Sequence, residues 1–223
     1  FKEAVMALLD EISPEAKQIG AVNTVVIGRD GRTRGDNTDR IGFRRAFEET
    51  IGKAAVAGQR AVLVGAGGAG RAIAFALIDL GVAKLSIYDK DQARADNLAA
   101  ELLGHAPTIV FDSAPDLAVA MRGAAGAVNA TPIGMHGYPG VPIPDELIAA
   151  EQWIADAIYT PLETKLIANA KRKGCRVMTG GGMCVHQAAE SFRAFTGISP
   201  DIARMRALFD RAVKERDAKL AAA

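Results

Sequence analysis

Three glycines, Gly65, Gly67 and Gly70, stand in the spacing G-x-G-x-x-G within Gly65-Ala66-Gly67-Gly68-Ala69-Gly70. The apolar run Ala61 to Val64 precedes them, and Arg71 to Leu80 follows with helical character. A strand, a tight turn and a helix N-terminus in that order form an anion site, because first-turn N–H groups and the helix dipole face whatever sits on the turn. The first glycine permits the turn, the second lets a pyrophosphate approach the backbone, and the third lets helix pack on strand. A second apolar run, Lys84 to Tyr88, ends on Asp89, 19 residues after Gly70. A carboxylate at that spacing accepts hydrogen bonds from the adenosine ribose of a dinucleotide. The chemistry expected of this stretch is binding of NAD or NADP. The plain alternative is a Gly-rich turn in an ordinary α/β domain.

Those residues need a scaffold, and the rest of the chain supplies its pattern. The 223 residues carry a net charge of +1 and are 49% apolar, enough for a core and too balanced to point to nucleic acid or an anionic membrane. No apolar run approaches the roughly 20 residues of a membrane helix. Cys175 and Cys184 form no disulfide framework and have no zinc-ligand spacing with the three histidines, so no metal is expected and a reducing cytoplasm is the default.

In chain order, helical spacing covers Lys2 to Leu9, with Val5, Leu8 and Leu9 on one face. Ser13-Pro14 opens a short helix as N-cap and first position. Ala21 to Ile27 reads as a strand, turned at Arg29-Asp30-Gly31-Arg32 onto Thr33 to Asp36. A polar stretch, Asn37-Thr38-Asp39, leads to a helix over Phe43 to Gly52. After the glycine turn come a helix over Gln92 to Leu103, a strand over Thr108 to Phe111, a helix over Pro115 to Met121 and a strand from Gly126. Further strands are expected from Trp153 and over Arg176 to Met178, around a helix from Thr164 to Lys173. Two amphipathic helices, Met183 to Thr196 and Pro200 to about Lys219, close the chain. Alternating strands and helices predict an α/β fold, a doubly wound parallel sheet of Rossmann type.

Four further segments matter together: Gly20-Ala-Val-Asn-Thr, Asn37-Thr-Asp-x-x-Gly, Val128-Asn-Ala-Thr-Pro-x-Gly-Met, and Met183-x-x-x-Gln187-Ala. In this order they resemble the shikimate dehydrogenase family over nearly the whole chain. Within it, Asp156 to Thr164 and Asp89 with Arg94 look like the NAD-dependent quinate/shikimate dehydrogenases. The resemblance implies a Rossmann domain beside a smaller α/β substrate domain. It divides the chain into residues 1–42, the remainder of the substrate domain; 43–182, the dinucleotide-binding domain; and 183–223, helices that return to the substrate domain. Phe1-Lys2-Glu3-Ala4-Val5 looks like the tail of the family's Asn-Val-Thr-x-Pro-x-Lys motif, so the substrate domain is expected to be N-terminally truncated here.

The activity implied is hydride exchange between a nicotinamide cofactor and the C3 hydroxyl of shikimate or quinate, a small polyhydroxy cyclohexane or cyclohexene carboxylate. Lys2 and Asp39 become the pair flanking the reacting hydroxyl, where the plain alternative is a surface ion pair, or an N-cap for Asp39. Asn23, at the end of a strand, Gln187, on the first turn of its helix, and Tyr159 join them as substrate contacts; a turn-former, a helix-surface amide and a packed aromatic are the plain alternatives. Thr131, Ile158 and Gly180 are expected on the nicotinamide side of the cleft. His186 is one position from Gln187 and so points about 100° away from it.

Asp89 would repel a 2′-phosphate, which favours NAD; Lys90 and Arg94 could reach one, which leaves NADP open. Arg94 could instead be a solvated residue paired with Asp91. Two other readings stand beside the first: an NADP-dependent shikimate dehydrogenase of aromatic amino acid biosynthesis, and a cofactor-binding regulatory protein without turnover. Residues missing upstream would favour the last, and Lys2, Asp39, Asn23 and Gln187 argue against it. A homodimer is left open.

Overall fold

The structure, a computed structural model, describes residues 1–221. It opens with a 3₁₀ turn, Ala4–Leu8, followed by β1 (Glu11–Ile12), α1 (Pro14–Ile19), β2 (Thr24–Ile27) and β3 (Thr33–Asp36). These strands form a sheet in the order β1-β3-β2, with β1 parallel and β2 antiparallel to β3. The Ser13 hydroxyl accepts from the Ala16 N–H at 3.1 Å, the expected cap, and Gly20 closes α1 at φ 70°. The opening segment is shorter and tighter than its spacing suggests, and Leu8 is 81% exposed.

β2 begins at Thr24 rather than Ala21 because the preceding N–H groups are taken elsewhere. Ala21 still closes α1 onto Ala16, and Val22 donates to the Lys2 carbonyl at 2.8 Å. Asn23 therefore precedes the strand instead of ending one.

Helix α2 (Asp39–Thr50) starts four residues ahead of Phe43. The Asn37 side chain accepts from the Asp39 N–H at 3.0 Å, satisfying a first-turn donor, so Asp39 becomes the first helical residue. α2 lies on the returning helix α7 (Gly180–Thr196), and small residues set the approach. A Cβ on Gly42 would sit 2.9 Å from the Gln187 Cβ, and one on Gly182 would sit 3.1 Å from the Ala46 Cβ.

The larger sheet contains β4 (Arg60–Val64), β5 (Lys84–Tyr88), β6 (Val110–Ser113), β7 (Gly126–Asn129), β8 (Trp153–Asp156) and β9 (Arg176–Met178). All pairs are parallel and the order is β6-β5-β4-β7-β8-β9, so chain direction across the sheet reverses between β4 and β7. Ligands of open parallel sheets bind at such a reversal, outside the carboxyl ends of the strands. Helices α3 (Gly68–Asp79), α4 (Gln92–His105), α5 (Leu117–Met121) and α6 (Lys165–Arg172) cover the faces. Alternate strand residues feed opposite cores: Leu63 joins Ile73, Leu77 and Trp153, while Val62 joins Leu117, Ile154 and Ile167. The doubly wound α/β fold is as expected.

Boundaries move where a cap was overlooked. Asp116 accepts from the Ala118 N–H at 2.7 Å and starts α5 at Leu117, not Pro115. Asp201 does the same for α8 (Ile202–Ala221), whose start was expected at Pro200. No described helix is long and apolar enough to cross a membrane.

Candidate active site

The glycine turn follows β4. Gly65 adopts φ 105°, a left-handed conformation that other residues rarely take, and donates to the Tyr88 carbonyl at 2.8 Å. A Cβ on Gly70 would lie 1.9 Å from the Gly65 carbonyl oxygen, so helix and strand can meet only with glycine there. Nothing lies within 4 Å of a Cβ built on Gly67 or Gly68. α3 starts at Gly68, three residues before the expected Arg71, and the first-turn N–H groups of Gly68, Ala69 and Gly70 have no intrahelical acceptor. Open space above unpaired donors fits a pyrophosphate.

Asp89 sits just past β5. Its carboxylate accepts from the Ala66 N–H at 2.8 Å and from the Asp91 N–H at 3.0 Å. The carboxylate thus braces the glycine turn, a role its spacing does not reveal. Asp91 spends its own carboxylate capping α4, accepting from the Ala93 N–H at 3.2 Å. The Asp91–Arg94 pairing is consequently absent, and Lys90 and Arg94 are exposed with no ion pair among the described residues.

On the other side of the switch point a cavity of about 300 Å³ is lined by Lys2, Asn23, Asp39, Tyr159, Gly180 and Gln187. Lys2 Nζ donates to Asp39 Oδ2 at 2.7 Å, and Asn23 Nδ2 donates to Asp39 Oδ1 at 2.9 Å. The Asn23 amide can face only one way, because its oxygen accepts from the Thr38 N–H at 3.0 Å and the Thr24 hydroxyl at 3.0 Å. The Asp39 side chain is 10% exposed and that of Lys2 48%, so the carboxylate is the fixed member of the pair and the ammonium the mobile one. Gln187 accepts from the Thr38 hydroxyl at 3.3 Å and donates to the Cys184 carbonyl at 3.2 Å. It lies at the end of the second turn of α7, not the first, because the helix begins at Gly180. Tyr159 is half exposed at the mouth.

Met183, Cys184 and Ala157 complete the wall, and sequence reasoning gave Cys184 and Ala157 no role. Residues 183, 184 and 187 follow the i, i+3, i+4 rule, so helical spacing from Gln187 could have found Cys184. Burial pushes the Cys184 thiol above its usual value, which keeps this part of the wall neutral. His186 points away as expected, buried with Nε2 at 2.9 Å from Glu49. A larger cavity, about 600 Å³, lies along α1, α2 and α7. There Arg40 pairs with Asp79 and Arg193 with Glu190, whereas the smaller cavity brings an ammonium and a carboxylate together with two amides and a phenol.

Thr131 packs against Gly65 of the glycine turn, and the bonded pair Ile158 and Gly180 adjoins the Lys2–Asp39 cavity. Thr131 donates through both N–H (2.9 Å) and hydroxyl (2.7 Å) to the Asn129 side chain. The buried Ile158 accepts through its carbonyl from the Gly180 N–H at 3.1 Å, and a Cβ on Gly180 would lie 2.4 Å from the Ala157 carbonyl. The turn into α7 is thus pressed against the end of β8.

Residues 1–25 match the family model of the shikimate dehydrogenase substrate binding domain. Residues 180–208 match that of the shikimate 5'-dehydrogenase C-terminal domain. The quinate/shikimate dehydrogenase (NAD(+)) of Corynebacterium efficiens is 45% identical over 212 residues, 94% of this chain and 74% of the relative. The shikimate dehydrogenase (NADP(+)) of an Arthrobacter species is 45% identical over 210 residues, 93% of this chain and 71% of the relative. Quinate dehydrogenase from Corynebacterium glutamicum, solved in complex with NAD, is similar at a TM-score of 0.85 and 42% identity, over 93% of this chain and 74% of that one.

Proposed function

The chain belongs to the shikimate dehydrogenase family, and from that premise we propose that it interconverts shikimate or quinate with the 3-dehydro ketone, with NAD as hydride carrier. The observation that carries this reading is the Lys2–Asp39 pair, 2.7 Å apart in a cavity that also presents Asn23, Gln187 and Tyr159. Oxidising a secondary alcohol requires a group to take the hydroxyl proton. Two groups this close act as a unit, so we assign the proton to the pair rather than to either member. Asn23 holds the carboxylate from its other oxygen, and the Lys2 ammonium is free to follow the substrate oxygen. Gln187 and Tyr159 supply polar atoms for the remaining hydroxyls.

The residues present fit a dinucleotide: the open face of Gly67 and Gly68, the first-turn donors through Gly70, and Asp89 where the ribose is expected. Gly65, Ala66 and Ala69 complete that turn, and Thr131, Ile158 and Gly180 would hold the nicotinamide side. When bound, NAD supplies the hydride acceptor. In this reading residues 1–42 and 183–223 form the substrate side and 43–182 the cofactor side, with α2 running across the first boundary and residues 222–223 outside those described. We place the protein in the cytoplasm because Cys175 and Cys184 are free thiols.

One observation favours a second reading. Lys90 and Arg94 both follow Asp89 closely and are exposed, which suits a 2′-phosphate and an NADP-dependent shikimate dehydrogenase. The test is turnover of shikimate and quinate with each cofactor. Oxidation with NAD preferred supports the proposal, a preference for NADP supports the second reading, and binding without turnover identifies a regulatory protein.

A further inference from the structure

Asp156 is a fully buried carboxyl that the proton chemistry above does not use. It ends β8, in register with Asn129 at the end of β7. One oxygen accepts from the Asn129 amide and from the Ile158 N–H, each at 3.0 Å, and the other accepts from the Thr164 hydroxyl at 2.7 Å. No cation pairs with it among the described residues. A carboxyl buried without a counter-charge is costly, so its presence calls for a reason beyond packing.

What the network joins supplies one. Asn129 turns its own oxygen to Thr131, and a Cβ on Gly65 would lie 2.8 Å from the Thr131 methyl. Ile158 passes the connection through its carbonyl to Gly180, the start of the helix that carries Gln187. The chain of contacts therefore runs from the glycine turn to the wall of the Lys2–Asp39 cavity, with Asp156 at its middle.

We propose that Asp156 is a positioning residue that fixes the loops after β7 and β8, between which the nicotinamide end of the cofactor is seated, without touching cofactor or substrate. The assignment rests on the functional reading above. The Asn129 NH₂ and the Ile158 N–H can only donate, and the Thr164 hydroxyl, whose oxygen already accepts from the Ile167 N–H at 3.3 Å, donates as well, so a carboxylate satisfies all three without rearrangement. An Asn at 156 turns an NH₂ toward one of them, so that either the Thr164 hydroxyl reverses or an N–H faces an N–H, and a loop is loosened.

The test is fluorescence titration with NADH and with ADP-ribose, which carries the adenosine and pyrophosphate but no nicotinamide. Asp156→Asn should weaken NADH by about tenfold or more, the loss of one charged hydrogen bond, and leave ADP-ribose within about twofold of wild type. Thr164→Val should weaken NADH selectively but less, and Thr164→Ser, which restores the hydroxyl, should behave as wild type. If Asp156→Asn does not fold, the Thr164 pair decides the matter. Loss of NADH and ADP-ribose affinity in parallel, or of neither, overturns the proposal and leaves Asp156 a purely structural residue. Wild type that binds neither NADH nor NADPH contradicts the functional reading instead, and the positioning role falls with it.

Discussion

Lys2 Nζ and Asp39 Oδ2 stand 2.7 Å apart across 37 positions of sequence. The contact is built by backbone: Val22 donates to the Lys2 carbonyl, and Asn37 starts the helix on which Asp39 is the first residue. Two segments that meet only in the folded chain thereby present an ammonium and a carboxylate to one cavity. Lys2→Ala should lower kcat by on the order of 10²-fold, the usual worth of a positioned proton-transfer group. NADH affinity should persist, because Lys2 lies outside the glycine turn. Near wild-type turnover in steady-state assays would remove Lys2 from the mechanism.

Gln187→Ala should act mainly on KM. One neutral hydrogen bond is worth roughly 0.5–1.5 kcal/mol, about a 2- to 13-fold rise. An unchanged KM for both shikimate and quinate would show that Gln187 serves only its contacts with Thr38 and Cys184.

Two glycines of the turn, one open and one crowded, give a contrast that separates binding from folding. A Cβ on Gly67 meets nothing within 4 Å, and its φ of −81° suits any residue, so Gly67→Ala should keep the wild-type Tm while weakening NADH by about tenfold through blocked pyrophosphate approach. A Cβ on Gly70 collides with the Gly65 carbonyl, so Gly70→Ala should lower Tm as well. Calorimetry beside NADH titration reads both, and a Gly67→Ala protein with unaltered NADH affinity would place the dinucleotide elsewhere.

Asp156 sets a pH dependence of stability. Burial raises its carboxyl from 3.8 to about 6, outweighing its bonds to Thr164, Ile158 and Asn129. Between about pH 4 and 6 the folded chain keeps a proton that the unfolded chain has released. This group's contribution to stability is therefore greatest below about pH 4 and falls as pH rises through about 6. The change is up to about 3 kcal/mol at about 1.4 kcal/mol per pH unit. Urea unfolding of wild type and Asp156→Asn should give a stability difference that shifts toward the variant as pH rises across that window. Parallel curves would mean that Asp156 has an ordinary acidity.

Local features of the fold were legible from sequence. The Gly65–Gly70 spacing, the Ser13-Pro14 start and the apolar runs of β4, β7 and β8 depend on backbone conformation or continuous burial, which short stretches encode. What escaped depends on distant partners. Gly180-Gly181-Gly182 lies ahead of the helix expected from Met183, yet it is the first turn of α7, and each glycine yields space to another element: the Ala157 carbonyl, the Leu162 and Phe209 side chains, and Ala46. β1 is two residues long and exists only as the parallel partner of β3. The spacing picks out Asp89 as a carboxylate after the second strand, but its bond to Ala66 does not follow from it. Lys2 had no local signal, and only the likeness to the shikimate dehydrogenases singled it out.

The central claim is NAD-linked oxidation in this cavity, and Asp89 tests it most directly. In the proposed cofactor pose its carboxylate would face the 2′-phosphate of NADP, and two like charges there would cost several kcal/mol unless Lys90 or Arg94 intervenes. The measurement is kcat/KM for shikimate and quinate oxidation with NAD and with NADP, for wild type and Asp89→Asn, at one ionic strength. Wild type should prefer NAD, and the variant should lose NAD efficiency while gaining NADP efficiency. A wild type that already prefers NADP contradicts the carboxylate argument, and one that oxidises neither substrate with either cofactor contradicts the enzyme reading itself.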